Sequence, residues 1–343
     1  VKHISKLHEF YNSADFKNYL LSLTSSYIEG VKGDCYESKE SKIVERIVNN
    51  LKNIKPITFK GVTIRTYSVF VHGRKYPISW AYNGPEVELS DVVFICQLSI
   101  SGKERLKKMT FNSFKKDDKH RFESSISKKR CRKSQYSWSI DMNQLYFLAN
   151  MPKFSFTQGT LSGKVFSPLN ISGHLGSYSF LGRDEIMNYL QAPLVRNLIG
   201  TSSTLNANYL VPLYAFTNVY ACFLSDEFSC NSCLLLYDAD RWFKPPESIV
   251  FSPNIYDFVL KYLMLLIGEV VFSDVLIDDD MNTLAHNLEN IAKGNFKTND
   301  EQKKSKDFLL MDSVDCINAH HKYIDGEGEG GFGIIFTEIS IND

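Results

Sequence analysis

A change of period near residue 56 constrains this chain most. Over "ESKESKIVERIVNNLKNIKP" (37–56) the apolar residues Ile43, Val44, Ile47, Val48, Leu51 and Ile54 recur at three- and four-residue steps, which is one face of a helix. Pro56 stops that helix. From Ile57 onward the pattern becomes that of strands: "ITFKGVTIRTYSVFVHG", "PISWAY" and "DVVFICQLS". "SGK" (101–103) reads as a turn and "RLKKMTFNSFKK" (105–116) as the returning strand. A helix feeding an apolar face to successive strands predicts an α/β protein.

Other segments read less sharply. Residues 1–30 read as helical, with Phe10, Phe16, Leu20, Leu21 and Leu23 as candidate core positions. "HRFESSISKKRCRKSQ" (120–135) reads as a loop or lid, and "WSIDMNQLYFLANMPKF" (138–154) starts a helix that Pro152 ends. "GRDEIMNYLQAPLVRNLIG" (182–200) and "NIYDFVLKYLMLLIGEVV" (254–271) are expected helices. "ANYLVPLYAFTNVYACFL" (207–224) fits a buried helix or a strand. "NDEQKKSKD" (299–307) reads as a linker, and "DGEGEGGFGIIFTEISI" (325–341) as a glycine-rich loop entering a strand. The expected organisation is an N-terminal helical segment (1–35), a core (36–160) and a C-terminal α+β extension (161–343).

The charge balance is zero overall but uneven along the chain. Residues 103–133 carry 13 Lys and Arg against 4 Asp and Glu, whereas residues 274–343 carry 15 acids against 6 bases. The first suits a polyanion, the second a protein partner; both also suit solvated faces of opposite sign. The opening "VKHISKLHEF" lacks the apolar region of a secretory leader, and "FVLKYLMLLIGEVVF" is broken by Lys261 and Glu269, so no membrane association is expected. Seven scattered cysteines, an odd number, fit reduced thiols and a cytoplasmic location.

The chemistry-bearing residues gather around the strand pair. Glu40 and Glu45 lie on the predicted helix, Glu88 and Asp91 precede one strand, and Lys115 ends the next. Ser113 and Lys115 share a side because strand side chains alternate. Asp91 can ligate Mg²⁺, which takes few carboxylates and several waters, with Glu88 or Glu45 assisting. Lys115 can act on an attacking water or stabilise charge on a phosphate.

The pieces "ELSDVVFIC" (88–96), "MTFNSFKK" (109–116) and "NQLYFLANMPKF" (143–154) resemble the PD-(D/E)xK, or restriction-endonuclease-like, nuclease superfamily in its bacterial members. The resemblance covers roughly residues 38–156. It implies a restriction-endonuclease-like core, a mixed central sheet flanked by helices, and Mg²⁺-dependent cleavage of DNA, with Mn²⁺ as an alternative ion. Asp91 would be the metal ligand, Glu88 the acid preceding it and Lys115 the lysine. Members of this appearance often serve genome or anti-phage defence. Ser113 departs from the pattern, which places an acid or glutamine two residues before the lysine. That departure opens a second expectation, a catalytically silent nuclease-like subunit that binds nucleic acid or a partner protein.

The basic tract extends from the lysine strand, and Lys116, Lys119, Arg121, Lys128, Lys129, Arg130, Arg132 and Lys133 are its candidate phosphate contacts, interleaved with Phe122, Tyr136 and Trp138. Cys230 and Cys233, with Cys222 nearby, have zinc-ligand spacing. No second pair adjoins them, and Cys316, His320 and His321 are distant in sequence, so buried thiols are the preferred reading over zinc. The acidic glycine run at 325–333 precedes a strand rather than a helix and is read as a strand-entry loop, not a phosphate loop. His174, His286 and His320 lack any nucleophile context and read as structural or surface residues.

Overall fold

The computed structural model describes residues 2–32, 39–72, 77–80, 86–117, 136–157, 163–182, 187–210, 213, 251–294 and 331–342. Helix α1 (Lys2–Asn12) hands over to α2 (Ala14–Val31) at Ser13, whose hydroxyl oxygen accepts from the Phe16 amide at 3.1 Å and caps the second helix. Phe16, Leu20, Leu23 and Tyr27 repeat along the buried face of α2, while Leu21 falls on the opposite face and is 53% exposed, contrary to expectation. Helix α3 (Glu40–Leu51) buries Ile43, Val44, Ile47, Val48 and Leu51, the face its periodicity predicts.

One nine-stranded sheet forms the centre. Its spatial order is β1 (Ile57–Phe59), β2 (Val62–His72), β15 (Gly331–Ile341), β5 (Val92–Ile100), β6 (Lys103–Lys116), β10 (Gly176–Leu181), β11 (Met187–Gln191) and β13 (Phe251–Ser252). Strand β14 (Glu269–Ser273) pairs with the first half of β6, and β10 pairs with its second half. The sheet is mixed: β15 runs parallel to β5 and β10 parallel to β6, and the remaining pairs are antiparallel. Ser101 and Gly102 close the β5–β6 hairpin with φ of 49° and 76°, the two-residue turn whose twist matches antiparallel strands.

Helices cover both faces. On one, α1, α2, α3 and α6 (Ile255–Leu263) enclose Phe94, Phe114 and Phe258; on the other, α4 (Met142–Asn150), α5 (Ala192–Ile199) and α7 (Asp279–Lys293) enclose Phe111, Trp138 and Leu288. This double cover explains why all nine residues of β5 are buried and why its sequence is a continuous apolar run. A small sheet of order β4 (Glu86–Glu88), β3 (Pro77–Ser79), β8 (Phe154–Phe156), β9 (Val165–Phe166) leads the chain into β5. Strands β7 (Ser137–Ser139) and β12 (Thr204–Asn206) pair separately.

Three expectations change. Residues 182–200 are not one helix: β11 is buried at all five positions, and α5 starts only at Ala192, with Pro193 in its first turn. Residues 254–271 divide into α6 and the beginning of β14, because Leu265 and Gly268 have positive φ and turn the chain. The segment from 161 onward does not merely pack on residues 36–160, since it supplies five strands of the central sheet, including β15 between β2 and β5. Helices α1 and α2 likewise share one core with α3, β5 and β15. No helix among the described residues is long and apolar enough to cross a membrane.

Candidate active site at the open end of the β5–β6 hairpin

Asp91 is fixed by backbone before its side chain does anything. Its amide donates to the Asn112 carbonyl at 3.0 Å, and its own carbonyl accepts from the Gly333 amide at 2.9 Å. The residue is therefore tied to both neighbours of β5, the strands β6 and β15. Its carboxylate Oδ2 accepts from the Phe114 amide at 2.8 Å and from the Ser113 hydroxyl at 3.0 Å. Ser113, 0% exposed, also lies 3.1 Å from Gln144 Oε1 on α4. A hydroxyl carries one hydrogen, so Ser113 shares it between two acceptors. Gln144 Nε2 donates to the Glu88 carbonyl at 3.2 Å, which orients the amide. Asp141 caps α4 by accepting from the amides of Asn143 and Gln144 at 2.8 and 3.1 Å.

Glu40 approaches from the first turn of α3. One carboxylate oxygen accepts from the Lys116 amide at 2.9 Å, and the other lies 3.8 Å from Lys115 Nζ. Burial pulls the Lys115 pKa down, but Asp91, Glu40, Glu88 and Asp141 together outweigh it, so the pKa ends above its ordinary value of 10.5. Lys115 is thus an ammonium ion at neutral pH. It can donate and neutralise charge; it does not serve as a base.

At this end of the sheet Ser113 is bonded to Asp91, Lys115 lies beside Glu40 from the helix, and Asp91 and Glu88 act on the Lys115 charge. Glu45 sits more than one turn further along α3, ion-paired with Lys42 at 3.0 Å, and is not among the charges acting on Lys115. The helix glutamate at the site is Glu40 rather than Glu45, because only the start of α3 reaches the strand ends. Sequence reasoning also passed over Gln144 and Asp141, although "SIDMNQLYF" carried a signal: an acid three residues before a glutamine at a helix start. Lys116 is 7% exposed, which removes it from the set of surface phosphate contacts. Lys119, Arg121, Lys128, Lys129, Arg130, Arg132 and Lys133 lie outside the described residues, as do Cys222, Cys230, Cys233, Cys316, His320 and His321. His286 is half-exposed beside Lys107 and Glu289, and the His174 amide donates to Glu269.

No group of three His, Cys, Asp or Glu close enough to hold a metal ion occurs among the described residues, so zinc-type closure is not met there. Mg²⁺ asks less, one or two carboxylates completed by water. Asp91 Oδ1 accepts no hydrogen bond from the described residues, and the four carboxylates acting on Lys115 outnumber its single charge. Asp91, completed by one further carboxylate through water, is the donor set that could take such a cation. Comparison with protein-family models, with curated proteins and with solved structures returns no match. The fold and site are those of a mixed α/β protein with a carboxylate–serine–lysine cluster at the open end of a central hairpin.

Proposed function

We propose that this chain is a Mg²⁺-dependent nuclease, with Mn²⁺ as a substitute ion, that hydrolyses DNA phosphodiester bonds on a restriction-endonuclease-like core. The observation that carries the reading is the Asp91 carboxylate held by the Ser113 hydroxyl and the Phe114 amide at the strand end where Lys115 lies 3.8 Å from Glu40. The order helix acid, strand-entry acid, strand lysine and helix glutamine (Glu40, Asp91, Lys115, Gln144) adds to the resemblance drawn from sequence. A bound Mg²⁺, held by Asp91 with Glu88 or Glu40 through water, would supply Lewis-acid polarisation of a phosphoryl oxygen. Lys115 contributes a charged donor that stabilises the growing negative charge on phosphate. Ser113 and the Phe114 amide hold the Asp91 carboxylate in one orientation, and Gln144 holds Ser113. A cytoplasmic role in genome defence rests on the resemblance alone.

Incubation with plasmid DNA and Mg²⁺ tests this directly. Wild type should cleave, and Asp91→Ala and Lys115→Ala should each lose on the order of 100-fold or more. Cleavage that survives both substitutions would end the proposal. One observation favours a second reading, a silent nucleic-acid-binding or partner-binding subunit. Ser113 stands where a second acid is expected, and its hydrogen is spent on neighbours within the chain. DNA binding without cleavage, unaffected by either substitution, would select it. The acidic stretch from Asp274 to Asp343 would then be the protein-partner surface; residues 295–330 of it lie outside the described residues.

A further inference from the structure

Tyr178 has a hydroxyl that the site as built so far leaves unused. In the parallel β6–β10 register Tyr178 pairs with Ser113. Asp91, one residue before the Val92–Asn112 pair, falls opposite Ser113 on the other side. The three residues therefore form one row across β5, β6 and β10. Paired side chains share a face, and this is the face that α4 covers, where Tyr178 packs in one core with Phe147 and Leu148.

The ring is fully buried and stacks on Phe180, with centroids 5.7 Å apart. Its hydroxyl has no hydrogen-bond partner among the described residues. A buried unpaired hydroxyl is unfavourable, and phenylalanine would fill the same space without that cost. Two other tyrosines show the contrast. The Tyr27 and Tyr189 hydroxyls also lack a hydrogen-bond partner, but burial alone raises the Tyr27 pKa, and it is the uncharged Ser177, Thr110 and Gln191 that act on Tyr189. Around Tyr178, burial raises the pKa well above 10.0 and the nearby Asp141 and Asp91 carboxylates push it further. The hydroxyl is consequently a neutral donor, neither a base nor a nucleophile.

We infer that Tyr178 is a further ligand-binding residue of this site, donating its hydroxyl hydrogen to an anionic phosphoryl oxygen that enters beside Asp91 and Lys115. The identity of that ligand as a phosphodiester rests on the nuclease reading. An anion approaching a cluster of carboxylates needs donors aimed at it. Lys115 brings charge, and Tyr178 brings a directed hydrogen bond without cancelling the pull of the acids on a cation. Such a bond is strengthened by its dry surroundings.

Tyr178→Phe deletes one oxygen. Its unfolding midpoint should equal or exceed that of wild type, while kcat/KM for Mg²⁺-dependent cleavage of a duplex oligonucleotide falls about 10- to 100-fold, the worth of one hydrogen bond to a charged oxygen. A folded variant that cleaves at the wild-type rate overturns the inference and leaves the nuclease reading standing. A lowered midpoint assigns the hydroxyl a structural task and also overturns it. If wild type itself does not cleave, the nuclease reading fails, and inorganic phosphate decides the matter. Phosphate must then raise the midpoint of wild type and not of Tyr178→Phe; equal shifts, or none, overturn the inference.

Discussion

Ser113 ties the Asp91 carboxylate to the Gln144 amide. Its one hydrogen serves Asp91 and Gln144 together, at 3.0 and 3.1 Å. Replacing it by aspartate sets a second carboxylate against Asp91 and strips Gln144 Oε1 of its donor. In metal-free buffer Ser113→Asp should lose on the order of 1–3 kcal/mol, from like-charge contact and the unpaired amide oxygen. Added Mg²⁺ should then raise its unfolding midpoint by more than it raises that of wild type, because the new acid completes a cation site. Thermal unfolding with and without Mg²⁺ measures both effects. Equal Mg²⁺ shifts in the two proteins would mean that position 113 does not face a cation.

At the scale of elements, the site depends on how closely α4 lies on β10. Gly176 makes that approach possible, since a Cβ there would coincide with the Leu148 carbonyl of α4. Gly176→Ala should cost about 1–3 kcal/mol by forcing the helix outward. Gln144 lies one turn before Leu148, so the same shift should loosen Ser113 and lower cleavage by up to about 100-fold. Urea unfolding, and cleavage assayed where the variant is still folded, check the two parts; unchanged stability would contradict the packing argument. The elements differ in how far sequence exposes them. The α3 face, the "SGK" turn and the β5–β6 pairing are local, and period and turn chemistry reveal them. The insertion of β15 between β2 and β5, and the pairing of β10 with β6, join residues far apart in sequence, and no local pattern encodes such partners. Residues 187–191 were misjudged for a related reason: five buried residues under helices on both faces read alike as strand or helix. Asp91 and Lys115 were legible because each sits at the end of a legible strand. Glu40 was harder to choose over Glu45, because the choice depends on where α3 crosses the sheet.

At the scale of the whole molecule, buried ionisable groups among the described residues make stability depend on pH. Burial raises the Glu289 pKa, but the His286 hydrogen bond, Lys107 and Lys293 outweigh it and hold the group at about 2, against an ordinary 4.5. Its contribution is therefore complete above pH 4.5 and lost as pH falls toward 2. Lys108 gives a slope of the same sign in a higher pH window. Burial lowers its pKa to about 7, with Glu269 opposing the shift. Between pH 7 and 10.5 the unfolded chain keeps a proton that the folded chain has released, so stability rises with pH there. Burial also raises Cys96 above 9.0 and Tyr11, Tyr19, Tyr27, Tyr178 and Tyr262 above 10.0, so the folded chain retains protons that the unfolded chain loses. Those groups turn the curve downward as pH rises past their ordinary values. Denaturant unfolding across pH should show Glu289→Gln flattening the acid limb and Lys108→Met flattening the rise above pH 7. Each change should amount to about one proton, ~1.4 kcal/mol per pH unit at most. If the rise above pH 7 persists in Lys108→Met, the buried ammonium is not its source, and the proton released on folding belongs to another group.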